Sequence, residues 1–355
     1  MAGLTGFSYY KEITISTTNC DADLANFPVY IPIVNDADIG GECLATGYDI
    51  QFADATNDNV LTFERLAGFA VASGQANGDF YVLVPTVAGA SDTIIRCYYG
   101  KGGATDASSP ANTFLAANGW AAVWHLEESG NPYLDATSNN NDSDAGTYPD
   151  QATAKVGKGQ DFELGSSEYI SFPSTASLNL GTSDFTISCW IKPETVVGAM
   201  ITKQYNATPY YYLWENAGGY VQFRIHDGTN TVYQNCHPSI TITAGTWYHL
   251  YVTVDRDSAT GFTFVVNNTG NGNADPRAIL TLDNNNALVI GKTSYFWDAI
   301  IDEVRINKTY LGVAWGKFEY YNSHDGHAAG NELAWGGETA TGEGVAWIPK
   351  VIMVM

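Results

Sequence analysis

The sequence predicts an all-β protein made of two antiparallel β-sandwiches, with one short C-terminal helix and an extended tail. Apolar and polar residues alternate with a period of two over many short segments, and Asn, Gly and Asp separate these segments. Helical periodicity is nearly absent. The chain has 355 residues. Because one domain usually takes roughly 100–200 residues, we expect two domains.

The N-terminal third contains two clear strand patterns. Ile13 and Ile15 alternate with polar residues, and a longer run carries apolar side chains at every second position, at Phe27, Val29, Ile31 and Ile33. Pro28 and Pro32 lie on the other face of this longer run. Proline cannot donate a hydrogen bond to a neighbouring strand, so we expect this strand at the edge of its sheet.

The following region repeats the pattern and adds the helix. The alternating apolar positions are Phe185, Ile187, Cys189 and Ile191, then Leu250, Val252 and Val254, and then Phe262, Phe264 and Val266. Near the end, Leu311, Trp315 and Phe318 follow helical spacing and predict one short amphipathic helix.

Changes in composition divide the chain into three parts. Gly, Ala, Ser and Pro replace the strand pattern over 101–117, and the chain becomes Gly-rich after about Ser323 before an apolar end at Val345–Met355. We therefore expect an N-terminal β-sandwich at 1–115, a second sandwich at 116–322 and a tail at 323–355.

Charge and cysteine content exclude several classes of protein. The formal net charge is −22, which disfavours binding to nucleic acid and to anionic membrane surfaces. No apolar run reaches the roughly 18–20 residues that span a bilayer, so we expect no membrane insertion. Five widely spaced cysteines without a C-x-x-C pair argue against a disulfide framework and a zinc ribbon, although one bridged pair stays open.

Several motifs in a fixed order carry a family resemblance. They are Ala122–Glu127, Asp135–Asp142, Val156–Phe162, Ser167–Ile170, Phe185–Lys192, Thr246–His249, Ile301–Ile306 and Trp315–Asn322. Through these motifs, residues 116–322 resemble the bacterial laminin-G-like domains of the concanavalin A-like lectin/glucanase superfamily. The resemblance implies a jelly roll.

The N-terminal region carries a second resemblance, on Phe27–Pro32, Tyr48–Asp54, Phe80–Val84 and Tyr98–Gly100. Residues 5–115 are similar to a domain of unknown function that commonly precedes laminin-G-like domains in microbial surface proteins. This resemblance implies a β-sandwich with no known chemistry.

We predict no catalytic residues. Glycosidases of the concanavalin A-like fold place two carboxylates on one face of a strand. Here Asp302 and Glu303 are adjacent, so they should point to opposite faces. Asp298 and Asp302 could share a face, but no Glu joins them. The protein is therefore expected not to be an enzyme.

A calcium site is the only cofactor that the sequence suggests. Asp302 alternates with apolar residues and is expected to face the core, where a carboxylate needs a cation or several hydrogen-bond donors. The family resemblance implies that calcium often lies near this strand, with Asp135, Asn139 and Asn140 as further oxygen ligands. Ser143 replaces the Gly that usually follows this Asn/Asp run. The alternative is an aspartate that caps backbone N–H groups.

Aromatic residues between Tyr205 and Tyr220 suggest a sugar-binding site. Tyr210, Tyr212 and Trp214 should share one face of a strand, and Tyr211 and Leu213 the other. Aromatic rings stack on sugars. We predict glycan binding by Tyr211, His226 and Trp297. The alternative is that one set is core and the other an ordinary Tyr-rich sheet surface.

The preferred function is a virion structural and adhesion protein, such as a capsid decoration, a head fibre or a tail fibre component. The N-terminal segment lacks the features of a signal peptide, so we expect synthesis in the cytoplasm without export and a final place on a virion surface or outside the cell. Expected partners are surface glycans and other virion proteins or copies of the chain.

The apolar C-terminal segment is expected to form the assembly interface by strand addition. The residues assigned to it are Val345, Trp347, Ile348, Val351, Ile352 and Val354. Two alternatives to the virion role stay open, a secreted bacterial or archaeal polysaccharide-binding surface adhesin and a purely architectural subunit without a ligand.

Overall fold

The structure is a computed structural model that describes residues 4–195, 198–203, 209–215, 220–292, 296–324 and 332–342. The elements of the N-terminal part are β1 (Tyr9–Ile15), β2 (Leu24–Asp36), α1 (Ala37–Glu42), β3 (Gln51–Asp54), β4 (Val60–Leu61), β5 (Phe63–Arg65), β6 (Ala70–Ala72), β7 (Gln75–Val87), β8 (Thr93–Tyr99) and α2 (Pro110–Thr113).

The second part contains β9 (Trp120–Trp124), β10 (Ala145–Thr147), β11 (Asp150–Thr153), β12 (Lys158–Phe162), β13 (Tyr169–Phe172), β14 (Phe185–Pro193), β15 (Gly198–Lys203), β16 (Tyr210–Glu215), β17 (Val221–His226), β18 (Thr231–Asn235), β19 (Tyr248–Val254), β20 (Phe262–Val266), β21 (Thr269–Ala274), β22 (Leu288–Ile290), β23 (Ala299–Asn307) and α3 (Val313–His324). Two short strands follow, β24 (Leu333–Trp335) and β25 (Thr339–Ala340). The prediction of an all-β protein with one short C-terminal helix is confirmed.

The N-terminal part is a sandwich of two antiparallel sheets. One has the order β24-β1-β8-β3-β4, with β25 also paired to β1, and the other has the order β2-β7-β5, with β6 also paired to β7. The predicted alternation holds, because Ile13, Ile15 and the four apolar residues at alternate positions of β2 are all buried in one core.

Strand β2 lies at the edge of its sheet, as its two prolines predict. Its exposed backbone is completed by a side chain from α3. The amide of Asn322 accepts a hydrogen bond from the Tyr30 N–H at 2.7 Å and donates one to the Tyr30 carbonyl at 3.0 Å. The Asn322 amide thus makes the two hydrogen bonds that a neighbouring strand would make to Tyr30. These bonds fix α3 to the N-terminal sandwich.

The second part is a jelly roll of two larger sheets. The seven-stranded sheet has the order β10-β13-β22-β15-β16-β17-β18. The eight-stranded sheet has the order β11-β12-β23-β14-β19-β20-β21, with β9 also paired to β23. The alternating apolar residues predicted on β14, β19 and β20 all face the core between these sheets.

Strands β24 and β25 bring the chain back to the N-terminal sandwich. Ile13, Thr14 and Ile15 of β1 pair with β24, and Tyr9 and Tyr10 pair with β25. Leu333 is buried in the N-terminal core. The region predicted as a separate tail, 323–355, therefore contributes two strands to the first domain, and the jelly roll is inserted between β8 and β24.

The two domains share a buried interface. The ring of Phe27 in β2 lies 4.5 Å from Trp315 and 5.0 Å from Phe318 of α3, measured between ring centroids. Tyr251 and Val265, on the outer face of the eight-stranded sheet, belong to the same cluster. The N-terminal domain and α3 thus cover that face.

Two absences are established for the described part of the chain. No helix there is long and apolar enough to cross a membrane. The five cysteines are all free, and four of them are buried.

Candidate functional site

The outer face of the seven-stranded sheet carries a group of aromatic and polar side chains, which we call the aromatic face. Three adjacent strands contribute to it. Tyr210, Tyr212 and Trp214 come from β16, Gln222, Arg224 and His226 from β17, and Tyr233 from β18. In β16 these residues alternate with Tyr211 and Leu213, which are fully buried in the jelly-roll core.

Strand register brings the members of the aromatic face together. Tyr210 pairs with His226, Tyr212 with Arg224 and Trp214 with Gln222. Arg224 also pairs with Tyr233 on its other side. Because cross-strand neighbours lie within side-chain reach, the face forms a continuous surface.

Contacts within the aromatic face hold its side chains in place. The Arg224 guanidinium lies 5.5 Å from the ring centroids of both Tyr212 and Tyr233. Its Nη2 donates to Gln222 Oε1 at 2.8 Å, and the Trp214 indole donates to the same oxygen at 3.3 Å. Tyr233 is 50% exposed. The face is therefore ordered before any ligand arrives, which lowers the entropy lost on binding.

The sugar-binding prediction is corrected at two of its three residues. Tyr211 and Trp297 are fully buried, and their polar atoms donate to the carbonyls of Leu178 and Thr195. Their rings therefore cannot stack on a ligand. His226 lies on the aromatic face, with its ring centroid 4.9 Å from that of Tyr210. The alternation in the sequence separates the two faces of β16 correctly. Tyr211, which was predicted to bind the sugar, lies on the core face.

The loop predicted to bind calcium is closed by its own hydrogen bonds. Both carboxylate oxygens of Asp135 accept, from the N–H groups of Val123, Thr137 and Asn141 and from the Thr137 hydroxyl, at 2.9–3.1 Å. The Asn139 side chain donates to the carbonyls of Trp120 and Ala121, and that of Asn140 to Ser138. This geometry favours the alternative of a capping aspartate, and calcium binding stays a prediction.

Asp302 does not face the jelly-roll core, and the reason is a β-bulge. The register of β14 with β23 shifts between Ser188 and Trp190, and Glu303 has a φ of 52°. The core positions of β23 are therefore Ala299, Ile301, Val304 and Ile306, listed in chain order. One extra residue reverses the alternation, so Asp302 and Glu303 both lie off the core face. The expectation that they point to opposite faces is also corrected.

Asp302 is fully buried. Its Oδ2 accepts from the N–H groups of Lys155 and Val156 at 3.0 and 2.9 Å, and its Oδ1 has no hydrogen-bond partner in the part of the chain that the structure describes. Burial and the neighbouring Glu303 raise the pKa of Asp302 well above its usual value. Its carboxyl is therefore held by backbone donors on one oxygen, as the capping alternative expects.

Glu303 belongs to a chain of buried charges at the domain interface. Its carboxylate lies 2.8 Å from His125 Nδ1 and 2.7 Å from Arg305 Nη2, and His125 Nε2 lies 3.1 Å from Glu64 of β5. Burial alone would raise the pKa of Glu303, but His125 and Arg305 outweigh it and hold the pKa below its usual value. These groups are engaged with one another, so this cluster links the domains.

Sequence reasoning missed one acidic cluster. Single carboxylate oxygens of Asp161, Glu163 and Glu194 lie within 4.8 Å of one another at the surface. Asp161 is in β12, and Glu194 directly follows β14. Asp161 and Glu163 are two residues apart, but no sequence pattern joins them to Glu194, which lies much further along the chain. The predicted assembly residues Val345, Trp347, Ile348, Val351, Ile352 and Val354 lie outside the described residues.

Comparison with known families supports the jelly roll. Residues 164–315 match a laminin-G-type family model described as the concanavalin A-like lectin/glucanases superfamily. The predicted resemblance is thus confirmed over this range. Comparison with curated proteins gives no match.

Several solved structures are similar to this chain at low identity. One is the binding domain of Paraclostridial Mosquitocidal Protein 1, with 17% identity, a TM-score of 0.48 and coverage of 57% of this chain and 52% of that one. A second is domain 4 of AbnA, a GH43 extracellular arabinanase from Geobacillus stearothermophilus, in complex with arabinotriose, with 16% identity, a TM-score of 0.44 and coverage of 58% and 98%.

A third is the botulinum neurotoxin serotype G binding domain, with 12% identity, a TM-score of 0.45 and coverage of 57% of this chain and 50% of that one. The matched region thus spans about half the length of the first and third of these structures.

Proposed function

We propose that the protein is a non-enzymatic adhesion protein that binds glycans through the aromatic face of its jelly roll. The observation that carries this proposal is the ordered surface formed by Tyr210, Trp214, Arg224 and Tyr233, which are all at least partly exposed. Tyr212 is only 3% exposed and supports these side chains from below. Aromatic rings bury the C–H faces of sugars, and fixed amide and guanidinium groups hydrogen-bond to their hydroxyls.

The position of this surface supports the proposal. The outer face of the eight-stranded sheet is covered by α3 and the N-terminal domain, where Tyr251 donates to the Gly312 carbonyl and Trp190 to the Ser323 hydroxyl. On the seven-stranded sheet, by contrast, the Tyr233 ring is half exposed. In the jelly roll, the outer face of the eight-stranded sheet thus forms the domain contact, and the outer face of the seven-stranded sheet is accessible to solvent at Tyr233.

Replacing Tyr233 by alanine is expected to weaken glycan binding by roughly tenfold, because one stacking ring contributes about 1 kcal/mol or more in such contacts. Binding should be measured on a glycan array and then by titration with the best ligand. The matched control is Tyr310→Ala, because Tyr310 is 42% exposed and does not belong to the aromatic face. Equal binding by both variants and the unchanged protein would remove the aromatic face as the site.

We place this activity on a virion surface, as a capsid decoration, head fibre or tail fibre component. Two domains joined through buried charge pairs and aromatic packing suit a rigid element that displays a binding face. We expect the protein in purified particles from its source, measured by mass spectrometry of density-gradient fractions. Recovery only from cell-wall or culture-fluid fractions would favour the secreted adhesin instead.

A further inference from the structure

A cavity lies in the N-terminal domain, and none of the described residues that line it belongs to the jelly roll. Its volume is about 440 Å³, and its walls include Phe7, Tyr48, Gln51, Val60 and Lys101. Ligand-binding cavities in proteins usually measure about 300–1,000 Å³. The space is therefore large enough for a sugar unit.

The ring of Tyr48 forms one wall of this cavity and is 39% exposed. The Arg65 guanidinium lies 5.0 Å from the ring centroid and borders a neighbouring cavity that Tyr48 also lines. Arg65 does not border the 440 Å³ cavity. The Tyr48 ring thus lines both spaces, and Arg65 packs on it from the side of the smaller one.

The Tyr48 ring is held in place by Arg65, which packs against it. Arg65 makes two parallel hydrogen bonds to Asp106, at 3.1 and 2.7 Å, and a third to the Gly47 carbonyl at 3.2 Å. A guanidinium fixed at three points supports the ring without large motion. A fixed ring costs little entropy when a ligand stacks on it.

Two polar side chains complete the walls. Gln51 Nε2 donates to the carbonyls of Phe52 and Leu61, both at 3.3 Å, which orients the amide. No described residue donates to Gln51 Oε1, so this oxygen is available as an acceptor. Lys101 Nζ lies 4.8 Å from the centroid of the Phe7 ring and donates to the Thr5 carbonyl at 3.4 Å. Its other two protons are left for a ligand.

The charge of the cavity differs from that of the whole chain. The protein has 38 acidic and 16 basic residues, yet among the residues that the structure describes no Asp or Glu lines this space, and Lys101 is the one charged side chain there. Asp106 and Asp49, which lie close by in the fold, accept from Arg65 and from the backbone N–H groups of Gly100 and Lys101. The cavity therefore offers a positive charge without a competing carboxylate on its walls.

We propose that this cavity binds a carboxylated sugar of the hexuronic acid type. The sugar ring lies against Tyr48, the carboxylate pairs with the Lys101 ammonium, and a hydroxyl donates to Gln51 Oε1. Charge complementarity selects the acidic sugar over its neutral counterpart. This site uses no residue of the aromatic face and goes beyond the glycan binding proposed above.

Calorimetric titration of the full chain with D-galacturonate and digalacturonate, against D-galactose, tests the proposal at low salt. We expect the acidic sugars to bind at least tenfold more tightly than galactose, and added salt to reduce this preference. Lys101→Gln should remove the preference, and Tyr48→Ala should remove binding of both kinds. Tyr48→Phe should retain binding, because the ring is kept.

Two control variants separate this site from other effects. Lys158→Gln removes an exposed lysine outside the cavity and should leave the preference for acidic sugars unchanged. An equal loss of preference in this variant would mean that the net charge of the protein, and not Lys101, causes the preference. Tyr233→Ala tests the aromatic face and should leave uronate binding intact. Unchanged preference in a folded Lys101→Gln variant, or equal affinity of the unchanged protein for acidic and neutral sugars, would overturn the proposal while leaving the aromatic face untouched.

Discussion

Replacing Arg305 by alanine is expected to lower the free energy of unfolding by about 3–5 kcal/mol, the usual cost of breaking a buried charge pair from one side. The side chain is 4% exposed, and its guanidinium contacts Glu303 at 2.7 Å and Glu319 at 3.4 Å. It also lies 4.7 Å from the ring centroid of Tyr81 in β7. Without it, two buried carboxylates lose a cation and the domain contact loses a packed group.

The chain contains a matched control for this change. Arg277 and Asp275 form a pair at the same spacing in sequence as Arg305 and Glu303, but their side chains are 54% and 46% exposed. Surface pairs contribute about 0–1 kcal/mol, so Arg277→Ala should be nearly neutral. Urea unfolding followed by tryptophan fluorescence measures both. Similar midpoints for the two variants would contradict a stabilising role for the buried cluster.

Replacing Glu215 by glutamine is expected to stabilise the protein by up to about 3 kcal/mol above pH 7, because a shift of one pKa unit corresponds to about 1.4 kcal/mol. Glu215 is fully buried, and neither carboxylate oxygen has a hydrogen-bond partner among the described residues. Burial raises its pKa from 4.5 to about 7. The folded chain therefore holds this carboxyl protonated at pH values where the unfolded chain ionises it.

The stability gained by Glu215→Gln should depend on pH. Below pH 4.5 the carboxyl is neutral in both states, so glutamine should bring no gain. Between 4.5 and 7 the gain should grow, and above 7 it should be constant. Thermal unfolding at pH 4, 6 and 8 checks this course, with Glu42→Gln as the control because Glu42 is exposed. A gain that does not depend on pH would mean that burial of the charge is not its cause.

Local patterns in the sequence predicted the strands well, but they did not predict the phase of β23. The alternation on β2, β14, β19 and β20 depends only on neighbouring residues, and the structure confirms it. In β23 one residue, Glu303, takes a left-handed conformation and reverses the faces that follow. Glutamate has no special preference for this conformation, so no local signal marks the bulge.

The same limit explains the error at Tyr211. The alternation in β16 separates its two faces, but only the pairing with β17 shows which face is buried. Val221, Phe223 and Ile225 in β17 are buried in the core, whereas Gln222, Arg224 and His226 lie opposite the outward residues of β16. Aligning the polar positions of these two strands would have selected Tyr210, Tyr212 and Trp214.

The return of β24 to β1 has a mechanical consequence. The chain enters the jelly roll after the N-terminal sandwich and comes back to pair with β1 at Ile13, Thr14 and Ile15. A load applied to the jelly roll, as by an anchored ligand under flow, thus reaches the N-terminal sandwich along the chain that follows β8 and also through the hydrogen bonds that join β24 to β1. The tension is therefore shared between a covalent connection and a strand pairing, and the domain contact does not resist it alone.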